Sequence, residues 1–493
     1  MKRKRFGILC AAAAVMLTGT MSVSAETESG SGSELLYEDL NYEITEDGSI
    51  TITNCMQSAV TCTIPESIDG KTVTQIADSA FAECYFLEEV VIPDTVTGIG
   101  RQAFSACSAL ESVTMPSKIT QLGAGVFDGC SELKTVVIPQ GIEELPQAAF
   151  YECTALEQVT LPEGICTIGS EAFYGCASLQ TVVLPESTDA IADYAFQGCT
   201  ALEEITFPVG VQNLGGYIFQ DCNALTAIHV DEANPMFCDR DGVLFTKDGV
   251  TLVRYPQHAP AQSYRIPDGC TQLANGSFVD AANLRQIDLN QATVYGQDVF
   301  FRCTGLENVA LPEGTAELFG SAFAYCSALK SITLPDSLKT IGDYCFYACA
   351  GLEELTVPDG VEKIGAYSFF NCVSMKKLFL PDSITEIGDG AMGYYAESED
   401  TEPQKLEDFS VVYNSNRMIY DYVQQYDLNG TGSTEFRWWI GLCVCGAVLV
   451  VAGTVVLIVL LRRKAAIPRP VPGGRQGSAA KRPEPNQKGK SKT

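Results

Sequence analysis

Apolar positions along most of this chain repeat with a period of about 23 residues, far longer than the period of a helix or a strand. A phenylalanine marks each repeat, and these residues are Phe81, Phe104, Phe127, Phe150, Phe173, Phe196, Phe219, Phe278, Phe300, Phe323, Phe346 and Phe369. A cysteine follows three residues later in nearly every repeat, and these residues are Cys84, Cys107, Cys130, Cys153, Cys176, Cys199, Cys222, Cys303, Cys326, Cys349 and Cys372. A fixed period of this length is typical of a solenoid, in which each coil packs on the next.

One coil reads h-x-h-P-x-x-h-x-x-I-G-x-x-A-F-x-x-C-x-x-L, where h is an apolar residue. The h-x-h segment, such as Val90–Ile92, predicts a short strand in which Val91 faces outward between two inward residues. Proline ends the strand because it has no N–H to donate to a ladder. We therefore expect a repeat solenoid with a parallel β-sheet on one face, strands about 4.8 Å apart, and the phenylalanines and cysteines in the opposite wall.

The segments on either side of the coils are interpreted as caps, and one segment between coils is interpreted as an insert. Residues 26–63 have the pattern of a flexible leader followed by an N-terminal β-hairpin cap, and residues 64–395 form the solenoid. The period breaks once, at about 231–263, where a second hairpin is expected to project from one coil. Residues 396–437 are interpreted as a C-terminal cap and a stalk, with apolar residues at helical spacing over 416–426.

Both ends of the chain carry apolar segments that lie outside the solenoid. Residues 1–25 have a basic start, an apolar run and a small-x-small site, which is typical of a secretory signal peptide. Residues 438–461 hold no charge, and at about 1.5 Å per residue they reach about 36 Å, enough for a transmembrane helix. The basic tail, residues 462–493, predicts a cytoplasmic end. We expect a single-pass cell-membrane protein with an extracellular solenoid; a cell-wall sorting signal would need an LPxTG-like motif, which the sequence lacks.

The charge of the chain is divided unevenly. The formal net charge is −29, and because residues 1–25 contribute +4 and residues 462–493 contribute +9, the segment 26–437 carries −42. Nucleic acids and anionic surfaces repel so acidic a segment. We therefore expect no nucleic-acid partner, and we expect membrane contact through the single apolar helix.

The 20 cysteines would ordinarily suggest disulfides in an exported chain. The period favours free thiols, because cysteines one coil apart lie about 4.8 Å apart whereas bridged Cβ atoms lie about 3.8 Å apart. Cys55 and Cys62 are the one pair that we suspect of bridging. Zinc is not expected, because the chain has no CxxC and two histidines.

No cofactor and no metal are therefore expected. Acidic residues after the strand prolines are interpreted as solvated turns, with a calcium-binding row as the alternative. These residues are Asp94, Glu163, Glu186, Asp268, Glu313, Asp336, Asp359 and Asp382. Neither an EF-hand loop nor a GGxGxD repeat accompanies them.

The coil pattern resembles the BspA-type leucine-rich repeats of bacterial surface proteins over about residues 40–426. Thr74–Phe81 and Asp241–Phe245 also resemble that family, whose members often carry such an insert. The resemblance implies a leucine-rich repeat fold, extracellular display and, in some members, adhesion to host or matrix proteins or to other cells, and it implies no catalytic residues. Three positions depart from the pattern: Phe278, which no cysteine follows, Met392 in place of phenylalanine, and Ala77 in place of glycine.

Two surfaces are candidates for binding a partner. The outward strand positions are small and carry little charge in an otherwise acidic segment, although valine and threonine suit any strand, so a purely structural face is the alternative. These positions are Val91, Thr114, Val137, Thr160, Val183, Thr206, His229, Thr333 and Thr356. An aromatic band beside the repeat phenylalanines is the second candidate, because exposed rings contact glycans and proteins. The band comprises Tyr151, Tyr174, Tyr194, Tyr217, Phe301, Tyr325, Tyr344, Tyr347, Tyr367 and Phe370.

Signatures of catalysis are missing from the sequence, which has no GxSxG, HExxH or P-loop motif. We expect a membrane-anchored surface protein that binds extracellular proteins or glycans as an adhesin or receptor, without catalysis and without a small-molecule substrate. A passive surface spacer or coat component is the alternative. A secreted glycan hydrolase is a distant third hypothesis, because no motif singles out a carboxylate pair among 61 acidic residues.

Overall fold

The computed structural model describes residues 34–35, 40–398 and 400–432. The predicted signal peptide, the apolar segment 438–461 and the basic tail lie outside these residues. Within the described ranges, every helix is too short or too polar to cross a membrane.

The N-terminal end consists of a hairpin joined to the first coil. Its strands are β1 (Glu34–Leu35), β2 (Leu40–Ile44), β3 (Ile50–Cys55), β4 (Thr61–Thr63), β5 (Ser67–Ile68) and β6 (Lys71–Ile76). Strands β2 and β3 pair in antiparallel fashion around a turn in which Gly48 has a φ of 85°. Since β3 also pairs in parallel with β6, the hairpin covers the end of a ladder that continues through the coils.

The next half of the solenoid has two parallel ladders rather than one. Its strands are β7 (Glu89–Val91), β8 (Gly98–Ile99), β9 (Ser112–Thr114), β10 (Gln121–Leu122), β11 (Thr135–Val137), β12 (Glu144–Leu145), β13 (Gln158–Thr160), β14 (Thr167–Ile168), β15 (Ala190–Ile191), β16 (Glu204–Phe207), β17 (Asn213–Leu214) and β18 (Ala227–Val230). The primary sheet contains the h-x-h strands, such as β11 and β13, in which Val136 pairs with Val159 one coil later. The second sheet contains the Ile-Gly segments, such as β14 and β15. The sequence predicted the primary sheet alone.

The wall that carries the phenylalanines is held by a third set of bonds between coils. The N–H groups of Gln102, Phe104 and Ala106 donate to carbonyls of the next coil at 2.6–2.9 Å. The residues two before and two after the phenylalanine have left-handed backbone, with φ of 51° at Gln102 and 58° at Ala106. Because left-handed residues alternate with ordinary ones, the N–H groups of every second residue point toward the next coil. The coils are therefore joined by hydrogen bonds in this wall, although the wall is not a β-sheet.

The left-handed position after the phenylalanine gives a matched pair of substitutions. Ala106 has a φ of 58°, while Gly129, one coil later, has a φ of 73° and space for a Cβ atom. We expect Ala106→Gly to raise the free energy of unfolding by about 0.5–1 kcal/mol, because an L side chain is strained there. Gly129→Ala should lower it by about 1 kcal/mol. Urea denaturation followed by circular dichroism measures the free energy of unfolding of both variants. If both variants raised it, or both lowered it, the expected backbone strain at this position would be contradicted.

The core is a column of stacked phenylalanine rings beside a column of cysteines. The rings from Phe81 to Phe219 stack with centroids 4.8–5.9 Å apart. Ten cysteines each donate the S–H to the carbonyl of the phenylalanine in the previous coil at 3.0–3.2 Å. They are Cys107, Cys130, Cys153, Cys176, Cys199, Cys222, Cys303, Cys326, Cys349 and Cys372.

The insert differs from the expected hairpin because it is built into the stack. Its strands are β19 (Phe237–Arg240), β20 (Val243–Thr246) and β21 (Thr251–Arg254), an antiparallel meander. Strand β21 pairs in parallel with the second-sheet strand of the next coil. Tyr255 then takes the phenylalanine position: its N–H donates to Ser277 O at 2.7 Å, and its ring lies 5.0 Å from that of Phe278. The period therefore continues from Tyr255 to Phe278, and the extra residues lie before Tyr255.

The remaining coils repeat the same plan. Their strands are β22 (Ser263–Arg265), β23 (Gln272–Leu273), β24 (Gln286–Asp288), β25 (Val294–Tyr295), β26 (Asn308–Ala310), β27 (Glu317–Leu318), β28 (Ser331–Thr333), β29 (Thr340–Ile341), β30 (Glu354–Thr356), β31 (Lys363–Ile364), β32 (Lys377–Phe379) and β33 (Glu386–Ile387). Thr340 pairs with Lys363 in the second sheet, again one coil apart.

The C-terminal end contains β34 (Tyr394–Tyr395), β35 (Gln404–Lys405), β36 (Ser410–Val412), helix α1 (Arg417–Gln425) and β37 (Asn429–Thr431). The helix forms where helical spacing predicted it, with Asn416 as its N-cap. The hydroxyls of Tyr426 and Tyr422 accept hydrogen bonds from the N–H groups of Gly390 and Met392 at 3.3 Å. They supply the acceptors that the next coil would provide. Strand β37 pairs with β36, so part of the expected stalk is the last strand of the primary sheet.

The hydrophobic core consists of two clusters that meet at the insert. One runs from Leu40 to Leu244 and the other from Val243 to Leu428. Between them the buried side chain of Arg254 donates to the carbonyls of Gly276, Phe219 and Val279.

Further polar side chains complete this junction. Gln257 donates to Phe219 O at 2.8 Å, the kind of bond that a cysteine makes in other coils. Arg302 lies 2.6 Å from Asp280 and 2.5 Å from Asp221. We call the five residues Asp221, Arg254, Gln257, Asp280 and Arg302 the seam. Polar side chains therefore replace apolar packing and cysteine bonds where the two cores join.

Candidate binding surface

The outward positions of the primary-sheet segments recur once in each coil along the solenoid. Seven of the predicted residues are exposed: Thr114, Val137, Thr160, Val183, Thr206, Thr333 and Thr356. Val91 and His229 are half-buried. Eight of the nine residues lie at the outward position of a strand, and strands within each ladder pair in register. Val183 takes the same position in a coil whose segment is not a strand.

Four consecutive coils of this face carry no charged side chain at the two outward positions of each strand segment. We call these eight residues the charge-free window: Ser112, Thr114, Thr135, Val137, Gln158, Thr160, Thr181 and Val183. Val137 is 61% exposed and Val183 is 81% exposed, the highest value among the large apolar side chains described as exposed. Exposed valines among threonines make a flat surface that costs little free energy to dehydrate.

The primary sheet is interrupted inside the window. Its ladder ends at β13, residues 181–183 are not a strand, and the next paired strands are β16 and β18. The side chain of Val182 still points into the core, while Val183 extends into solvent. The window therefore combines a regular part with a stretch whose backbone is not engaged in the ladder.

Charges border the window on the same face. Glu89 precedes it and Glu204 follows it, both exposed. The His229 ring nitrogens lie 3.8 Å from Glu204 Oε2 and 3.7 Å from Asp239 Oδ2, so the insert contributes a carboxylate to this border. A partner that fits the window would meet an apolar and hydroxylated centre within an acidic rim.

The C-terminal half of the face differs in its charges. Arg265 lies 3.1 Å from Asp288, and Lys377 lies 3.5 Å from Glu354, all at outward strand positions. These exposed pairs contribute little to stability because water screens them. Thr356 shares strand β30 with Glu354, and Thr333 lies one coil earlier on β28. The window therefore distinguishes the N-terminal half.

The aromatic band is mostly covered by its own members. The rings of Tyr151 and Tyr174 stack with centroids 4.6 Å apart and planes 6° apart, and Tyr344 stacks on Tyr367 at 5.2 Å. The Tyr217 hydroxyl donates to Asp298, and burial together with this carboxylate raises the pKa of Tyr217. Glycans stack on open ring faces, so rings that cover one another offer mainly their edges. The structure thus favours the sheet face over the band.

The acidic turn residues bind groups of their own turn and of the turn in the next coil. Asp94 Oδ1 accepts the Ser117 N–H at 2.7 Å, and this hydrogen bond lowers the pKa of Asp94. Asp268 likewise accepts from Arg265 at 3.1 Å and from Asn290 at 2.8 Å. Among the described residues, no group of three or more His, Cys, Asp or Glu side chains is arranged to hold a metal ion.

The ladder residues lie inside the solenoid and not at a surface. The repeat phenylalanines from Phe81 to Phe369 and the ladder cysteines are at most 3% exposed. Cys55 and Cys62, the pair suspected of bridging, are both free thiols in this structure. The seam was missed by sequence reasoning, although one signal was visible: Phe278 is followed by Asp280 and Ala281 where a cysteine is expected.

Comparisons with known proteins agree with the repeat architecture. A sequence model of the BspA type leucine rich repeat region matches the chain in six copies, over residues 74–199, 166–237 and 271–396. A leucine rich cell surface protein from Faecalibacterium prausnitzii is 26% identical, with a TM-score of 0.56 over 77% of this chain and 97% of its own. A leucine-rich repeat protein from Bacteroides ovatus is 26% identical, with a TM-score of 0.56 over 81% of this chain and 99% of its own.

A third structure shares the fold at lower identity. The pneumococcal vaccine antigen PcpA is 24% identical, with a TM-score of 0.50 over 80% of this chain and 97% of its own. None of the curated proteins matches the chain.

Proposed function

Because the chain belongs to the BspA-type leucine-rich repeat family, we propose that it is a cell-surface protein that binds an extracellular protein through the charge-free window. The observation that carries this proposal is the window itself. In a segment with a net charge of −42, eight outward residues of four successive coils are uncharged, and two valines are 61% and 81% exposed. Exposed apolar area bordered by charge is typical of a protein-docking surface.

The proposed location at the cell surface has independent support. The related protein from Faecalibacterium prausnitzii is described as a cell surface protein. The sequence of residues 1–25 supports export, and residues 438–461 support anchoring by one membrane-spanning helix with the basic tail in the cytoplasm. In this arrangement the solenoid stands outside the cell, with β37 nearest the membrane.

A non-catalytic role fits the chemistry of the exposed face. The window offers hydroxyl, amide and methyl groups, none of which is a general acid or base near neutral pH. The carboxylates at the bordering outward strand positions, Glu89 and Glu204, stand on opposite sides of four coils, about 24 Å apart at the strand spacing, too far from each other to form the carboxylate pair that cleaves a glycosidic bond. Recognition without turnover is therefore the function that the geometry supports best.

Charge placed in the window should abolish binding without unfolding the protein. We expect the double variant Thr114→Arg and Thr160→Arg to weaken binding by at least about 100-fold, because each guanidinium must be buried against the partner without a counter-charge. Both side chains are exposed, so the melting temperature should stay within about 2 °C of the unchanged chain. Biolayer interferometry against immobilised matrix and cell-surface proteins measures affinity, and circular dichroism measures melting.

A matched control adds the same charges elsewhere. Thr120 and Thr154 are also exposed, but each donates its hydroxyl to a carbonyl one coil earlier, outside the sheet face. The variant Thr120→Arg with Thr154→Arg should bind like the unchanged chain. Retained binding by the window variant would refute the face assignment. Failure of the unchanged chain to bind any protein would favour a passive surface spacer, and binding to glycan arrays alone would favour a glycan receptor.

A further inference from the structure

Carboxylates lie along both margins of the charge-free window as well as at its two ends. Where the strand segments begin, Glu157 and Glu203 precede the outward residues, and both are exposed. Where the segments end, Glu163 and Glu186 directly follow the strand prolines and are also exposed. We call Glu157, Glu163, Glu186 and Glu203 the flanking carboxylates. The apolar and hydroxylated surface of the window is therefore enclosed by negative charge.

Basic side chains near the window are few, and they lie toward its N-terminal end. Lys134 directly precedes β11, and its Nζ lies 2.8 Å from Glu111 Oε2, so this positive charge is already paired. Lys118 lies two residues after a strand proline and is exposed. No Lys or Arg occurs between Lys134 and Arg240, whereas acidic residues recur through these coils. The field around Val183 is therefore negative.

The window is too small to form a protein interface by itself. Between backbone positions its eight residues span three strand spacings in one direction and two residues in the other, about 14 Å by about 7 Å. A stable interface covers about 800 Å² on each partner. A protein docked on the window must therefore also cover the flanking carboxylates. Covering them without counter-charges is costly, because each carboxylate would lose water and gain no ion pair.

We propose that the partner of the window is a basic protein surface, in which a small apolar patch is flanked by Lys or Arg side chains. This inference rests on the proposed function of the window. The apolar patch packs on Val137 and Val183, and the cations beside it pair with the flanking carboxylates. The same field repels nucleic acids, sulfated glycans and acidic proteins. Charge therefore selects among surfaces whose shape would otherwise fit.

Selection of binding peptides tests the chemistry of the partner. A displayed library of random short peptides is selected on the full-length chain, and each binding clone is tested again on the variant Val137→Gln with Val183→Gln. This variant keeps the charge of the window and removes its exposed apolar groups. Clones that bind the variant at least about tenfold more weakly are window-dependent. We expect these clones to carry Lys or Arg on both sides of an apolar residue.

The outcomes of the selection separate this inference from the proposed function. Window-dependent clones that are neutral or acidic would overturn the basic partner while keeping the window as a binding surface. If no clone depended on the window, the proposed function would fall together with this inference. Both valines are exposed, so the melting temperature of the variant should stay within about 2 °C of the unchanged chain by circular dichroism.

A window-dependent basic peptide then tests the flanking carboxylates. The triple variant Glu157→Gln, Glu163→Gln and Glu203→Gln should slow its association by at least about tenfold at about 20 mM NaCl, because opposite charges speed encounter. At about 500 mM NaCl the difference should fall below about threefold, because salt screens exposed charges. Biolayer interferometry measures the association rates.

The matched control removes the same number of charges from other faces. Glu144 and Glu317 are exposed on second-sheet strands, and Glu152 is exposed on the phenylalanine wall. The triple variant Glu144→Gln, Glu152→Gln and Glu317→Gln should associate within about threefold of the unchanged chain. Equal slowing by the two triple variants, or slowing that salt does not reduce, overturns the proposal.

Discussion

Replacing Arg254 with leucine is expected to cost about 3–5 kcal/mol of unfolding free energy at the seam. Arg254 is 7% exposed and donates to three carbonyl groups, so its loss leaves buried acceptors unpaired. Burial already raises the pKa of Asp280, and the variant also removes a positive charge near this carboxylate. Hydrogen exchange should show amides of β19, β20 and β21 opening first, and urea denaturation should separate into two transitions.

An exposed arginine in the next coils provides the control. Arg285 lies 3.1 Å from Glu307, and its side chain is 57% exposed. Arg285→Leu should change the unfolding free energy by less than about 1 kcal/mol, since exposed ion pairs contribute little. If Arg254→Leu proved as mild as Arg285→Leu, the seam would not be what couples the two halves.

Replacing Phe173 with alanine is expected to have an equally large effect, confined to one half. Its ring is fully buried and lies 5.5 Å from Phe150 and 5.2 Å from Phe196. Removing a buried phenylalanine costs about 3–5 kcal/mol through lost burial and the cavity that remains. Because coils contact their neighbours alone, the loss should appear in the cluster from Leu40 to Leu244 and spare the other. Hydrogen exchange with peptide resolution measures both halves in one experiment.

The control for the ladder is a phenylalanine outside it. Phe86 is 64% exposed and two residues from Cys84. Phe86→Ala should alter the unfolding free energy by less than about 0.5 kcal/mol. A uniform loss of protection from β2 to α1 in Phe173→Ala would show that the two clusters unfold as one unit.

The sequence predicted those parts of the fold that recur in every coil. Phenylalanine and cysteine at a fixed spacing predicted the stack, and the leucine-rich repeat solenoid is confirmed by the family match and by the related structures. Spacing of Ile419, Tyr422 and Val423 predicted helix α1, and these side chains are buried. The alternation of the h-x-h strands assigned Thr114 and Thr160 to an outward row, and both are exposed.

Features that depend on contacts between different coils could not be predicted. Strands such as β8 and β14 are two residues long, so no alternation of apolar and polar residues marks them. The left-handed backbone had a weak signal, glycine before the cysteine in coils such as those with Gly129 and Gly175. The insert was misplaced because Tyr255 hides the phenylalanine position and β21 resembles a free hairpin strand.

The position of the candidate surface could be predicted from the sequence, but the exposure of its individual residues could not. The row of outward residues follows from strand alternation, but the exposure of Val183 reflects an interruption of the primary sheet that the sequence does not mark. The overlap of the aromatic rings also depends on side-chain geometry, and this overlap favours the sheet face over the band.

The hydrogen bonds of the phenylalanine wall all run one way, so the wall ends in unpaired donors. In coil after coil three N–H groups, such as those of Gln102, Phe104 and Ala106, point toward the C-terminal neighbour, and three carbonyls point back. At the C-terminal end the Tyr422 and Tyr426 hydroxyls accept from two of the last donors. A chain cut before α1 would leave these donors without their acceptors, so coils can be added or lost in the interior more safely than at this end.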